Sequence, residues 1–367
     1  MPPAEFDSTM LRAFAGRLIR WFHRHQRRLP WRRSPRDPYH VWLSEVMLQQ
    51  TQVATVIPYF ERWIKRFPSL RAFADAPLDD VLKVWEGLGY YSRARNFHRA
   101  AQIVMRDFDG QMPRTAAELL QLPGIGRYTA GAIASLAFDE HVPLLDGNVK
   151  RVLARVHALS TPSDDELWRL AEVHLPTGRA ATFNEALMEL GALVCTPRTP
   201  KCDACPVNRY CQAFASGDPE AFPTKVPKKI TPHHDVLTAV IVNERGQVLM
   251  GQRPRDGLLG GLWEFVSSEF RAAHRELADV VRERTGLQIN DLDGEAEMIG
   301  TVKHAFTHFK ITRQVWLVTA HRVASPHPNG YDQLRWVPLD HIKQLALTRS
   351  DQKILALYEK HRLSLFA

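Results

Sequence analysis

The stretch Leu122-Pro123-Gly124-Ile125-Gly126-Arg127-Tyr128-Thr129-Ala130 joins two helical segments, near 115–121 and 127–138, and its glycines set what that joint can do. Gly124 and Gly126 permit a turn tighter than residues with side chains allow. The turn presents unpaired backbone N–H groups at the start of the helix from Arg127, where the helix dipole favours negative charge. Arg127 itself adds a cation beside them. The combination suits the grip of a DNA phosphate better than a plain packing joint between two helices. A Walker loop is excluded, because no Gly-Lys-Ser/Thr follows.

On both sides of this hairpin the chain reads as helix, from about residue 10 to 215. Leu11, Phe14, Leu18, Trp21 and Phe22 recur at helical spacing. Asp37 followed by Pro38 is an N-cap and first-turn pair that opens a helix through about Val53. Further helices are expected near 58–67, 78–86, 92–108, 147–159, 164–175 and 179–195. Thr115 and Glu118 have the spacing of a capping box. No strand alternation is visible in this half.

All four cysteines of the chain close the helical region: Cys195, Cys202, Cys205 and Cys211, spaced C-x6-C-x2-C-x5-C. Thiolates concentrated in this way hold a metal centre, either tetrahedral zinc or a [4Fe–4S] cluster. Arg198, Lys201 and Arg209 surround them with positive charge suited to phosphates.

Two carboxylates have unusual company. Glu45 has Val41, Trp42 and Leu48 as its helical neighbours. An apolar face should desolvate it and raise its pKa, which a general acid near neutral pH requires. Asp146 opens the helical run whose buried stripe is Val149, Leu153 and Val156, so it sits at an N-cap that stabilises its anion. One raised acid beside one ionised carboxylate is the division of labour of glycoside cleavage. In a DNA-gripping chain that points to the N-glycosidic bond of a nucleobase.

Composition agrees. The 367 residues carry a net charge of +8, which favours a polyanionic partner, and 45% hydrophobic content is enough for sizeable cores. No run of about eighteen apolar residues offers a membrane span. Met1–Phe6 lacks the pattern of a signal peptide, so a cytoplasmic protein is expected. Residues 216–234 hold four prolines and read as a linker between a helical domain, 1–215, and an α+β domain, 235–367. In the latter, Val236–Val242 and Gln247–Gly251 flank the turn Asn243-Glu244-Arg245-Gly246. A helix is expected near 268–285, a strand at Ile311–Ala320 and two short helices at the end.

With these residues in view, 1–215 resembles the endonuclease III branch of the helix–hairpin–helix DNA glycosylases. The cysteine spacing at 195–211 is similar to the [4Fe–4S] loop of that branch. Ser44-Glu45-Val46-Met47-Leu48-Gln49-Gln50-Thr51-Gln52, Trp85-Glu86-Gly87-Leu88-Gly89-Tyr90-Tyr91 and Leu145-Asp146-Gly147-Asn148 resemble the adenine DNA glycosylases of the MutY family. The resemblance implies excision of adenine opposite 8-oxoguanine or guanine in duplex DNA. Glu45 would protonate the flipped base, and Asp146 would stabilise the sugar cation. Tyr128 and Asn148 would support the sugar and the Asp146 carboxylate, while Gln50 and Tyr90 would enter the stack by the mispaired purine. Bifunctional relatives carry a lysine where this chain has Tyr128. A phenol forms no Schiff base, so an efficient lyase step is not expected. The other readings are an endonuclease III-like lyase acting on oxidised pyrimidines, a non-catalytic DNA-binding iron–sulfur protein, and a Nudix hydrolase with a helical appendage.

Residues 235–367 resemble a Nudix domain. Aligning Thr285-Gly286-Leu287 puts Val280 and Arg284 where a working Nudix helix carries magnesium-binding acids, so a binding module is expected. The resemblance assigns lesion recognition to Phe306-Thr307-His308, in which Thr307 stands where the family usually has serine. A bacterial protein, associated with the nucleoid when on DNA, is expected, with monomer as the default state and no membrane partner; other repair proteins as partners are left unspecified.

Overall fold

The structure is a computed structural model that describes residues 6–224, 231–269, 276–287, 292–320 and 326–364. The chain forms two compact units, one of residues 1–75 and 96–227, the other of residues 76–95 and 228–367.

The first unit is helical: α1 (Ser8–His25), α2 (Pro38–Leu48), α3 (Val53–Arg66), α4 (Leu70–Ala74), most of α6 (Ser92–Asp107), α7 (Ala116–Leu119), α8 (Arg127–Phe138), α9 (Gly147–Val156), α10 (Asp164–His174), α11 (Ala180–Leu193) and α12 (Gln212–Ala215). Phe14, Leu18 and Phe22 of α1 pack with Leu153 of α9 and Phe183 and Leu187 of α11 in one buried cluster. Trp42, Trp63, Phe73 and Phe97 form a second, aromatic centre, with Trp42 edge-on to Phe97 at 4.6 Å. Edge contacts of this kind stabilise beyond what the buried area of the rings contributes. The helix opened by Pro38 stops at Leu48 rather than continuing to Val53. Gln50 adopts a left-handed φ of 57°, and α3 begins again at Val53, enclosing Pro58 instead of starting there. The α4 segment, absent from the sequence reading, is held by Ser69, whose hydroxyl accepts from Ala72 N.

In the second unit lie α5 (Leu78–Trp85), β1 (His233–Asn243), β2 (Gln247–Gln252), β3 (Trp263–Ser267), α13 (Leu277–Thr285), β4 (Leu292–Ala305), β5 (Lys310–Ala320), β6 (Gln333–Pro338), α14 (Leu339–Ile342) and α15 (Arg349–Ser364). The strands form one six-stranded sheet in the order β4-β5-β1-β3-β2-β6. β1 and β5 run parallel, and the other pairs are antiparallel. One face buries Val240, Phe265 and Val315 with Ile354 and Tyr358 of α15. The other buries Ala239, Ile241 and Val318 with Val281 of α13.

Three strands were not legible as alternating patterns. All five residues of β3 are buried, so no polar face marks it. β4 is broken by register shifts between Asp293 and Glu297 and between Met298 and Gly300. β6 exposes only Arg335 while burying only Val337. The expected helix near 268–285 is seen from Leu277; residues 270–275 lie outside the described residues, as do 225–230 of the expected linker. The final helix, expected to be short, runs 16 residues. The described part of the linker contains a 3-10 turn, Pro219–Ala221, and Thr224 N donates to Ser160 O.

Candidate active site

Asp37 caps α2 by accepting from Tyr39 N at 2.8 Å, and Pro38 occupies the first turn. This fixes the phase of a helix in which all but three of eleven residues are buried, Glu45 at 4% exposure among them. Tyr128, one residue into α8, donates its hydroxyl to Glu45 Oε2 at 2.5 Å. Burial pushes the Glu45 carboxyl up to about 7; the tyrosine bond pulls the other way, and the Asp146 charge adds to the rise. An acid half-protonated at neutral pH is the result.

Asp146 is the N-cap of α9. Its Oδ1 accepts from Val149 N at 2.7 Å and its Oδ2 from Asn148 Nδ2 at 2.9 Å. The cap was expected to hold this group low. Burial outweighs the cap bonds instead, and the carboxyl lies above its ordinary value. Arg151 continues the chain of contacts: its Nη2 donates to Asn148 Oδ1 at 2.8 Å and to Gly191 O at 2.7 Å, and its Nε to Cys195 O at 2.8 Å.

Two glycines that carry no sequence signal let these elements close in. A Cβ on Gly191 of α11 would stand 2.6 Å from Asn148 Cβ, and one on Gly131 of α8 would stand 2.4 Å from Pro143 O. Both approaches require glycine.

Glu45, Tyr128, Asp146, Asn148 and Gln50 line one cavity of about 740 Å³. The sequence reading did not find another part of this lining, built from ion pairs. Arg27 meets Glu189 at 2.7 Å, Arg32 reaches Glu189 at 3.0 Å and Glu185 at 3.1 Å, and Arg36 pairs with Glu185. Burial opposes ionisation of Glu189, but hydrogen bonds from Arg27 and Arg32 overcome it and hold the group down at about 2. The partners are about 150 residues apart in sequence, which is why no local pattern announces them.

At the hairpin, Gly124 has φ +80° and an added Cβ would lie 2.6 Å from Asn96 Cβ. Gly126 caps α8 and supplies no side-chain acceptor to the first amides of the helix. Arg127 is exposed, with its guanidinium 4.0 Å over the Trp168 ring.

Cys195, Cys202, Cys205 and Cys211 line one small cavity with Arg155, Pro200, Asn208 and Phe214. Four cysteine sulfurs around one small cavity are a donor set that suits a four-iron cage. Arg155, 2% exposed, brings Nη1 to 3.4 Å from Cys195 Sγ. Burial pushes the Cys205 thiol up to about 12, with the other three thiols adding to the rise, so four thiolates here need the positive charge of a metal centre. Arg198, Lys201 and Arg209 are exposed on the same loop.

In the second unit, Phe306, Thr307 and His308 form the turn between β4 and β5. Thr307 and His308 are exposed, while Phe306 stacks on Phe309 at 4.6 Å. Tyr90 donates to Thr307 Oγ1 at 2.5 Å, and both line a cavity of about 380 Å³. On α13, Val280 is buried at 1% exposure and the Arg284 guanidinium lies 4.1 Å over the Tyr331 ring.

Residues 43–176 match the helix–hairpin–helix superfamily of base excision DNA repair proteins, 195–211 the iron–sulfur binding domain of endonuclease III, and 237–357 the NUDIX domain. These define a DNA-repair glycosylase with an iron–sulfur loop and a Nudix-type second domain. The adenine DNA glycosylase of Mus musculus is 37% identical, over 97% of this chain and 80% of its own. That of Buchnera aphidicola from Acyrthosiphon pisum is 33% identical, over 95% and 98%. The structure of a thermostable thymine-DNA glycosylase covers 57% of this chain and 100% of its own, with a TM-score of 0.53 and 28% identity. The chain belongs to the adenine DNA glycosylase family. The cysteines Cys195, Cys202, Cys205 and Cys211 are its [4Fe–4S] ligands.

Proposed function

We propose that this chain removes adenine paired with 8-oxoguanine or guanine in duplex DNA by hydrolysis of the N-glycosidic bond, without an efficient lyase step. The observation that carries the reading is Glu45: buried, poised near pH 7, and sharing a cavity with Asp146. Adenine would enter the cavity of the first unit by flipping from the stack. Glu45 would give its proton to the base at N7, and the glycosidic electron pair would leave with the base. Asp146, oriented by Val149 N and Asn148, would stabilise the positive charge that develops on the sugar until water adds. The fixed Arg27–Glu189 pair offers adjacent donors and an acceptor for the edge of a purine.

Tyr128 supports the absence of a Schiff base, since it supplies a phenol at the position where an amine would be needed. The hairpin Gly124–Gly126, Arg127, Arg198 and Lys201 would hold the backbone, with Gln50 and Tyr90 beside the mispaired purine. The cluster bound by the four cysteines would supply rigidity to a basic loop rather than chemistry at the sugar. In the second unit, Phe306, Thr307 and His308 would sense the oxidised base. Val280 and Arg284 support a binding role over pyrophosphate hydrolysis.

The test is single-turnover excision on duplexes with adenine opposite 8-oxoguanine, with and without alkali. Strand breaks that appear only after alkali support the reading; breaks without alkali at the excision rate overturn its second half. No excision from either mispair overturns it entirely.

A further inference from the structure

Glu86 is the one carboxylate of the Trp85–Tyr91 motif, and it lies outside the catalytic cavity. It follows the last residue of α5 and is tied to a distant segment of the same unit once directly and once through Lys83. Its Oε1 accepts from Leu347 N at 2.8 Å. Its Oε2 meets Lys83 Nζ at 2.8 Å, and that ammonium also donates to Leu345 O at 2.9 Å. The receiving segment is buried and tied to the sheet: Leu347 is 1% exposed, and Ala346 O accepts from Trp263 N of β3. Tyr91 adds a third tie, accepting from Gly87 N at 3.2 Å and donating to Leu347 O at 3.4 Å.

The loop so clamped is strained. Gly87 and Gly89 are left-handed at φ 97° and 74°, and Tyr90, with a side chain, is left-handed at φ 49°. A tyrosine persists in that region only where its surroundings over-determine it, and such positions cluster at functional sites. The Tyr90 hydroxyl then meets Thr307 at 2.5 Å on the rim of the 380 Å³ cavity.

We infer that Glu86, with Lys83, is a positioning residue for the discrimination of 8-oxoguanine from guanine: by pinning the Gly87–Tyr91 loop to Leu345–Leu347 it sets Tyr90 against Thr307. This rests on the lesion-sensing reading proposed above. Glu86 touches no reacting group, so its removal alters which opposing base is preferred and leaves the bond-breaking machinery intact.

The experiment measures single-turnover excision of adenine opposite 8-oxoguanine and opposite guanine for the full-length protein and for Glu86→Ala, Glu86→Gln and Tyr90→Phe. Hydrogen exchange at residues 345–349 is followed in parallel. Glu86→Ala is expected to lower the preference for 8-oxoguanine about fivefold or more, mostly through slower excision opposite that base, and to speed exchange of the Leu347 amide. Glu86→Gln keeps a carbonyl acceptor for Leu347 N and stays within about twofold of the parent. Combined with Tyr90→Phe, Glu86→Ala adds little, because both act through one contact. An unchanged preference in Glu86→Ala overturns the inference while leaving lesion sensing in place. Equal losses opposite both bases also overturn it, as a general structural role. A parent protein that excises equally opposite both bases removes the sensing reading itself, and this one with it.

Discussion

The Tyr128 hydroxyl and Glu45 Oε2 are 2.5 Å apart, with the phenol donating. The bond occupies one carboxylate oxygen and leaves Oε1 to carry the proton. It also stabilises the anion, so it moderates a rise that burial alone would take further.

Glu45→Gln is expected to slow excision by about 10²–10⁴-fold, the usual contribution of a positioned general acid. Binding to duplex DNA should change little. A single-turnover rate within about twofold of the parent would remove Glu45 from the mechanism.

The parent rate should fall as pH rises through about 7, because the acid is protonated below that value and lost above it. Folding stability should follow the same sign. A carboxyl raised from 4.5 to about 7 binds more protons in the folded chain, so its contribution is full below 4.5 and is lost as pH rises toward 7. Tyr128→Phe removes the bond that lowers Glu45, so the falling limb should move to higher pH. A pH–rate profile on both proteins checks the direction; an unmoved limb would separate Tyr128 from Glu45 in function.

Asp146→Asn keeps one cap acceptor for Val149 N but loses the negative charge. Excision should drop by about 10²–10³-fold, comparable to the removal of one preorganised electrostatic contact. Circular dichroism should show α9 intact.

Arg151→Ala leaves Asn148 Oδ1, Gly191 O and Cys195 O without the guanidinium. A loss of about 1.5–3 kcal/mol in unfolding free energy is expected for a charged donor of this kind. Chemical denaturation, with iron content measured beside it, gives the value; an unchanged midpoint would show these bonds to be replaceable by water.

Gly124→Ala places a side chain at φ +80° and 2.6 Å from Asn96 Cβ. The hairpin must shift, and affinity for DNA of any sequence should weaken, since backbone contacts carry no base preference. Unchanged affinity would argue that the hairpin does not hold phosphate.

Local chemistry made much of this chain readable in advance. Asp37-Pro38, Thr115 with Glu118, and Asp146 are caps whose hydrogen bonds span two or three residues, and the structure forms each of them. The four cysteines announce a metal loop by spacing alone. β3 and β6 escaped because a strand buried on both faces, or short and half-polar, has no period to detect.

The sequence by itself determined the helical hairpin, the iron–sulfur loop, the acid on an apolar face and the family, because each is written in residues close together or in long similarity. Tertiary structure alone decided what those residues became. It placed Tyr128 on Glu45 across 83 positions and Glu189 between Arg27 and Arg32 across more than 150. It drew Ala76–Arg95 into a unit with the C-terminal sheet. It also raised the Asp146 pKa, where the cap alone would lower it. The physical reason is desolvation: whether a carboxylate keeps its charge depends on every group that excludes water from it, and those groups come from elements that only the folded chain brings together.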